Sequence, residues 1–107
     1  IMQGIHDRFN AVWEDAEAAV DWVAAKLALI HSEVSEALEE LRNGYAPTES
    51  YYTGITAKPE GFPSELADVI IRTLDLAYVL GIDITAAVEE KVAYNATRGR
   101  MHGGKVL

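Results

Sequence analysis

Residues 64–80 read SELADVIIRTLDLAYVL, and this stretch decides the fold class. Leu66, Val69, Ile70, Ile71, Leu74, Leu76, Val79 and Leu80 place apolar side chains on most sides of a helix. A helix apolar nearly all round belongs in the middle of a bundle. Ser64 is the expected N-cap, because its hydroxyl can accept from an early backbone N–H. Gly81 follows the last apolar residue and is the expected stop.

Working outward, a longer helical pattern precedes it. Val20, Val23, Leu27, Ile30, Val34, Ala37, Leu38 and Leu41 recur at steps of three and four. Asn43-Gly44 ends that run. Residues 44–63 then form a connector with all three prolines and three tyrosines, Tyr45, Tyr51 and Tyr52. A connector this long within one domain is usually functional or mobile. Beyond Gly81, Asp83 caps a further helix to about residue 96. Residues 1–13 read as a short helical arm with Ile5, Phe9 and Val12 on one stripe. No segment alternates convincingly with period two, so no sheet is expected. Residues 51–56 are the only strand-like run. The expectation is all-α: residues 1–107 as a single domain, a four-helix-bundle-like subunit that assembles into a dimer or tetramer. Small helical chains often build sites between subunits, having little interior of their own.

Composition narrows the function classes. Seventeen acidic against nine basic residues give a net charge of −8. Such a surface repels nucleic acid, whose phosphates supply most of the affinity for proteins. The charge is uneven, for no acidic residue follows Glu90 while Lys91, Arg98, Arg100 and Lys105 do. An acidic body with a basic tail suits a site where a cation meets a polyphosphate. The absence of cysteine excludes disulfides and thiolate metal sites. No apolar run reaches the roughly 18 residues of a membrane span. No signal-peptide pattern opens the chain, so a cytoplasmic protein is expected.

Two carboxylate pairs carry the chemistry. Glu33 and Glu36 lie on the long helix, and Glu65 and Asp68 on the apolar one. Residues three apart share a helix face, so each pair can aim at one point. Four converging carboxylates resist joint ionisation unless a cation joins them. An oxygen-only set suits Mg²⁺, with Mn²⁺ able to substitute. The plainer alternative stands beside this one. Glu-x-x-Glu is common on solvated faces, and Glu65 and Asp68 favour the helix dipole with no metal at all. Glu39 and Glu40 read as surface.

Three stretches, LIHSEVSEALEELRNG (residues 29–44), KPEGFPSELADVIIRTLDLA (58–77) and KVAYNATRGRMHGGK (91–105), together resemble the MazG-type nucleotide pyrophosphohydrolases. With Ile5-His6 they cover most of the chain. The resemblance implies an all-α fold in which helix pairs assemble into dimers or tetramers. It implies hydrolysis of a nucleoside triphosphate between its α and β phosphorus atoms. It implies Mg²⁺ held by Glu33, Glu36, Glu65 and Asp68, and substrate contacts at Lys91, Asn95, Arg98 and Lys105. Many relatives carry Lys-Gly-Phe-Trp after an early His; here the segment is HDRFNAVWED, and only His6 and Trp13 resemble it.

The expected mechanism is metal-assisted attack of water on phosphorus, with Glu36 or Glu33 accepting the proton. Lys91, Asn95 and Arg98 share one helix face and can neutralise phosphate oxygens, or merely serve the helix C-terminus. Trp13, Trp22, Tyr51 and Tyr52 are candidates for stacking on a base, with packing as the alternative role. His6 and His31 are candidate contacts or structural histidines. Lys26 lies two turns before Glu33, on nearly the same face, where it can reach a phosphate or pair with a carboxylate. The expected role is removal of non-standard or excess nucleotides. Hydrolysis of dUTP or phosphoribosyl-ATP is the neighbouring alternative. A non-catalytic helical interaction module is the rival from another class.

Overall fold

The computed structural model describes residues 16–98. Its elements in order are helix α1 (Ala16–Arg42), strands β1 (Tyr51–Thr53) and β2 (Lys58–Glu60), helix α2 (Phe62–Leu80) and helix α3 (Ile84–Arg98). The expected arm at residues 1–13 lies outside the described residues.

Helix α1 ends where Asn43-Gly44 led us to expect. Gly44 takes φ +92°. Its N–H donates to the Leu41 carbonyl at 3.0 Å, and the Tyr45 N–H to the Glu40 carbonyl at 3.1 Å. This left-handed closure satisfies carbonyls that the helix end would otherwise leave bare. Gly81 closes α2 in the same manner at φ +71°, with the Ile82 N–H reaching the Ala77 carbonyl at 2.9 Å. Asp83 caps α3 as expected, its Oδ1 accepting from the Ala86 N–H at 3.0 Å.

Two local expectations are corrected. Helix α2 starts two residues before Ser64, with Gly61 at the cap position and no side-chain cap. The Ser64 hydroxyl instead donates to the Pro59 carbonyl at 3.3 Å. Pro63 in the first turn explains the earlier start, since its missing N–H needs no partner there. The connector also holds a sheet where none was expected. β1 and β2 pair antiparallel, Tyr51 opposite Glu60, Tyr52 opposite Pro59 and Thr53 opposite Lys58. A two-stranded ribbon tolerates Pro59, whose lack of an N–H would break a central strand.

The hairpin is tied back to α1. The Tyr51 hydroxyl donates to the Glu40 carboxylate at 2.9 and 3.2 Å, and its ring stacks on Tyr45 at 4.5 Å. Glu40, expected to be plain surface, is thus the anchor of the connector. That hydrogen bond, then burial and the Glu40 charge, raise the Tyr51 phenol above its ordinary range.

Helices α1 and α2 pack along each other, whereas neither carries an extended contact with α3. Among the described residues the interior is thin: Ala19, Ala37, Ala77 and Val79 are its buried apolar side chains. The expectation that α2 sits enclosed in a bundle is corrected at the level of one chain. Ile70 is 59 % exposed and Ile71 53 %, for among the described residues α2 packs along α1 and touches β2 but has no extended contact with α3.

Candidate metal and nucleotide site

The long helix and the apolar helix run antiparallel, which the contacts make plain. Glu33 and Glu36 on α1 meet Glu65 on α2, while Trp22 and Lys26 on α1 share a pocket with Asp75 and Val79 on α2. One helix–helix seam therefore carries a carboxylate cluster and, beside it, a pocket.

Glu33, Glu36 and Glu65 each offer a carboxylate oxygen, and these atoms lie within 4.8 Å of one another. Asp68, the fourth residue of the expected set, is not within that cluster. Its charge still acts on Glu65. Burial, the charge of Glu36 and a hydrogen bond to it, then the charges of Glu33 and Asp68, push Glu65 up to about 7. Such mutual repulsion is the expected cost of carboxylates held together with too little positive charge.

Glu33 is the buried member, 8 % exposed. It is paired with Arg72, whose Nε donates to Glu33 Oε1 at 2.9 Å. Sequence reasoning missed Arg72. The signal was present: Glu65, Asp68, Arg72 and Asp75 recur at steps of three, four and three, a polar stripe along an otherwise apolar helix. The oxygen-only donor set fits a hard divalent cation, and one guanidinium does not neutralise the cluster's three carboxylates.

The pocket holds about 240 Å³ between Trp22, Lys26 and Leu29 of α1 and Arg72, Asp75, Leu76 and Val79 of α2. Arg72 joins it to the carboxylate cluster, for it lines the one and holds the other. Lys26 Nζ sits 5.2 Å from the centre of the Trp22 ring. Of the two roles open to Lys26, pairing with a carboxylate is not seen among the described residues. Trp22 is half-buried at the pocket, and Tyr51 is committed to Glu40.

The structure does not bring Lys91, Asn95 and Arg98 to the carboxylates within one chain. Helix α3 makes no extended contact with α1 or α2, and all three residues are exposed. Lys91 Nζ and Arg98 Cζ instead flank the Tyr94 ring at 5.7 and 5.3 Å. His31 is exposed on α1. His6, Trp13 and Lys105 lie outside the described residues. No helix among the described residues is long and apolar enough to cross a membrane.

No family model matches the chain, and no solved structure does. A stretch of 36 residues, 34 % of this chain, is 53 % identical to a dATP/dGTP diphosphohydrolase of Cyanophage S-2L. The match covers 34 % of that protein, so the chain spans about a third of the relative's length.

Proposed function

We propose that the chain hydrolyses nucleoside triphosphates to monophosphate and pyrophosphate, with Mg²⁺ as cofactor and Mn²⁺ able to substitute. The observation that carries this reading is the meeting of Glu33, Glu36 and Glu65 within 4.8 Å. Glu33, Glu36 and Glu65 would hold the cation, with Asp68 completing the set. When bound, the cation would withdraw charge from phosphate oxygens and lower the pKa of water at the site.

The chain's own residues divide the remaining work. Arg72 fixes one oxygen of Glu33 and holds that carboxylate in place. Glu36 is exposed and forms no ion pair among the described residues, so it is the better acceptor for the proton of an attacking water. The water oxygen bonds to the α-phosphorus, the bond to the bridging oxygen breaks, and pyrophosphate leaves with the electron pair. Lys26 lies roughly 10 Å along α1 from Glu33, within reach of a nucleotide whose phosphates lie at the carboxylates. Lys91, Asn95, Arg98 and Lys105 would have to come from a second copy or a rearranged α3. Self-association into a dimer or tetramer is therefore part of the proposal. The role would be removal of non-standard or excess nucleotides; purine deoxynucleotides head the candidates, given the partial relative, with dUTP and phosphoribosyl-ATP as alternatives.

The test is pyrophosphate release from a panel of nucleoside triphosphates, with Mg²⁺ and with chelator. We expect Mg²⁺-dependent pyrophosphate and monophosphate, reduced at least a hundredfold in Glu36→Gln and Asp68→Asn that keep their helical content. Release of single phosphate would place the cut at another bond. One observation favours the rival reading, a binding module: Leu66, Ile70, Leu74 and Tyr78 leave an exposed apolar row on α2. That reading predicts no turnover, and no effect of Asp68→Asn on Mg²⁺ affinity.

A further inference from the structure

Resting on that hydrolase reading, we propose that the pocket beside the carboxylates seats the nucleobase and that Lys26 and Asp75 select guanine. The pocket's size points to a base rather than a whole nucleotide. At about 240 Å³ it falls just below the range that encloses a drug-sized ligand. Its walls, Leu76 and Val79 among them, offer an apolar slot for a flat ring. Arg72 lines it and also bonds Glu33, so the pocket adjoins the carboxylates and a base seated here would leave its phosphates on their side.

The charges at the pocket supply the selection. Asp75 lies one turn beyond Arg72, yet Arg72 is given to Glu33. Asp75 and Lys26 form no ion pair with each other among the described residues. The Trp22 ring steadies the Lys26 ammonium. The pocket thus presents an acceptor-only carboxylate and a donor-only ammonium, neither spent on the other. Guanine carries two adjacent donors, N1–H and the 2-amino group, next to the acceptor O6. The carboxylate takes both donors in parallel, and the ammonium donates to O6. Adenine in the same seat turns the lone pair of N1 toward the carboxylate and has no 2-amino group.

The experiment combines binding of dGMP and dAMP in Mg²⁺ with turnover of dGTP and dATP, for the wild-type chain, Asp75→Asn and Lys26→Met. We expect dGMP to bind roughly tenfold tighter than dAMP, as bidentate recognition of one base edge provides. Asp75→Asn should erase that preference, raising KM for dGTP far more than it lowers kcat. Lys26→Met should weaken dGMP more than dAMP. A base ranking unchanged in Asp75→Asn overturns the proposal even if turnover is brisk, and so does the absence of binding by either monophosphate. If no substrate releases pyrophosphate while dGMP still binds through Asp75, the hydrolase reading falls and the guanine seat stands.

Discussion

At the scale of single residues, Glu65 is where the site's electrostatics can be measured. Its carboxyl stands at about 7 in the folded chain against 4.5 for the free group. The folded state therefore holds this proton more tightly than the unfolded state does. Its stabilising contribution is complete below pH 4.5 and is lost as the pH rises through about 7. We expect the melting temperature in chelator to fall across that window. Mg²⁺ should reverse the fall, because a cation favours the ionised form of the cluster that Glu33 and Glu36 build around Glu65. Glu65→Gln should flatten the chelator profile. A melting temperature equally insensitive to Mg²⁺ at pH 5 and pH 8 would count against a metal at this cluster. The members of the cluster were legible as residue types and spacings. Asp68 shows the limit of that reading, since a shared face did not bring its oxygens into the set that meets.

At the scale of elements, Gly61 is the most demanding position. Its φ of +108° and ψ of 170° belong to a region that only glycine enters freely. A Cβ added there would meet the Glu49 carbonyl oxygen at 2.5 Å. Gly61 is also buried, wedged between the hairpin and the start of α2. We expect Gly61→Ala to lower unfolding free energy by roughly 2–4 kcal/mol in chemical denaturation, from backbone strain plus the clash. A loss below half a kilocalorie would mean that the hairpin moves aside freely. Helix ends at Gly44, Gly81 and Asp83 were readable because capping is local chemistry. The hairpin was not, because Tyr51–Thr53 and Lys58–Glu60 are each three residues long and one contains Pro59. What makes them strands is each other, together with the Tyr51–Glu40 bond to α1.

At the scale of the whole molecule, one chain leaves much apolar surface bare. Val20, Leu66, Ile70, Ile71 and Val92 are all more than two-fifths exposed. Leu66, Ile70 and Leu74 recur every fourth residue along α2 and are all exposed, and an exposed apolar row of this kind is a mark of an interface. Sedimentation at micromolar concentration should therefore show a dimer or tetramer. Ile70→Glu combined with Leu74→Glu should shift it toward monomer and depress turnover, if α3 of a neighbour completes the site. A monomeric wild-type chain with full activity would sink this prediction. It would also require Lys91 and Arg98 to reach the substrate by movement within one chain.

Periodicity, capping and composition are properties of neighbouring residues, and the sequence by itself determined what depends on them. That covers the helical character, the helix ends at Gly44, Gly81 and Asp83, and the presence of two carboxylate pairs with a basic tail. Tertiary structure alone decided which of those groups meet. Arg72 and Glu33 are 39 residues apart in the chain and bond only because α1 and α2 pack antiparallel. The same packing gathers Glu33, Glu36 and Glu65, opens a pocket against Trp22 and Lys26, and leaves α3 apart. Local pattern sets the angle of each side chain about its own helix axis. Distances between helices arise from how the two surfaces fit, and no spacing along one chain segment encodes them.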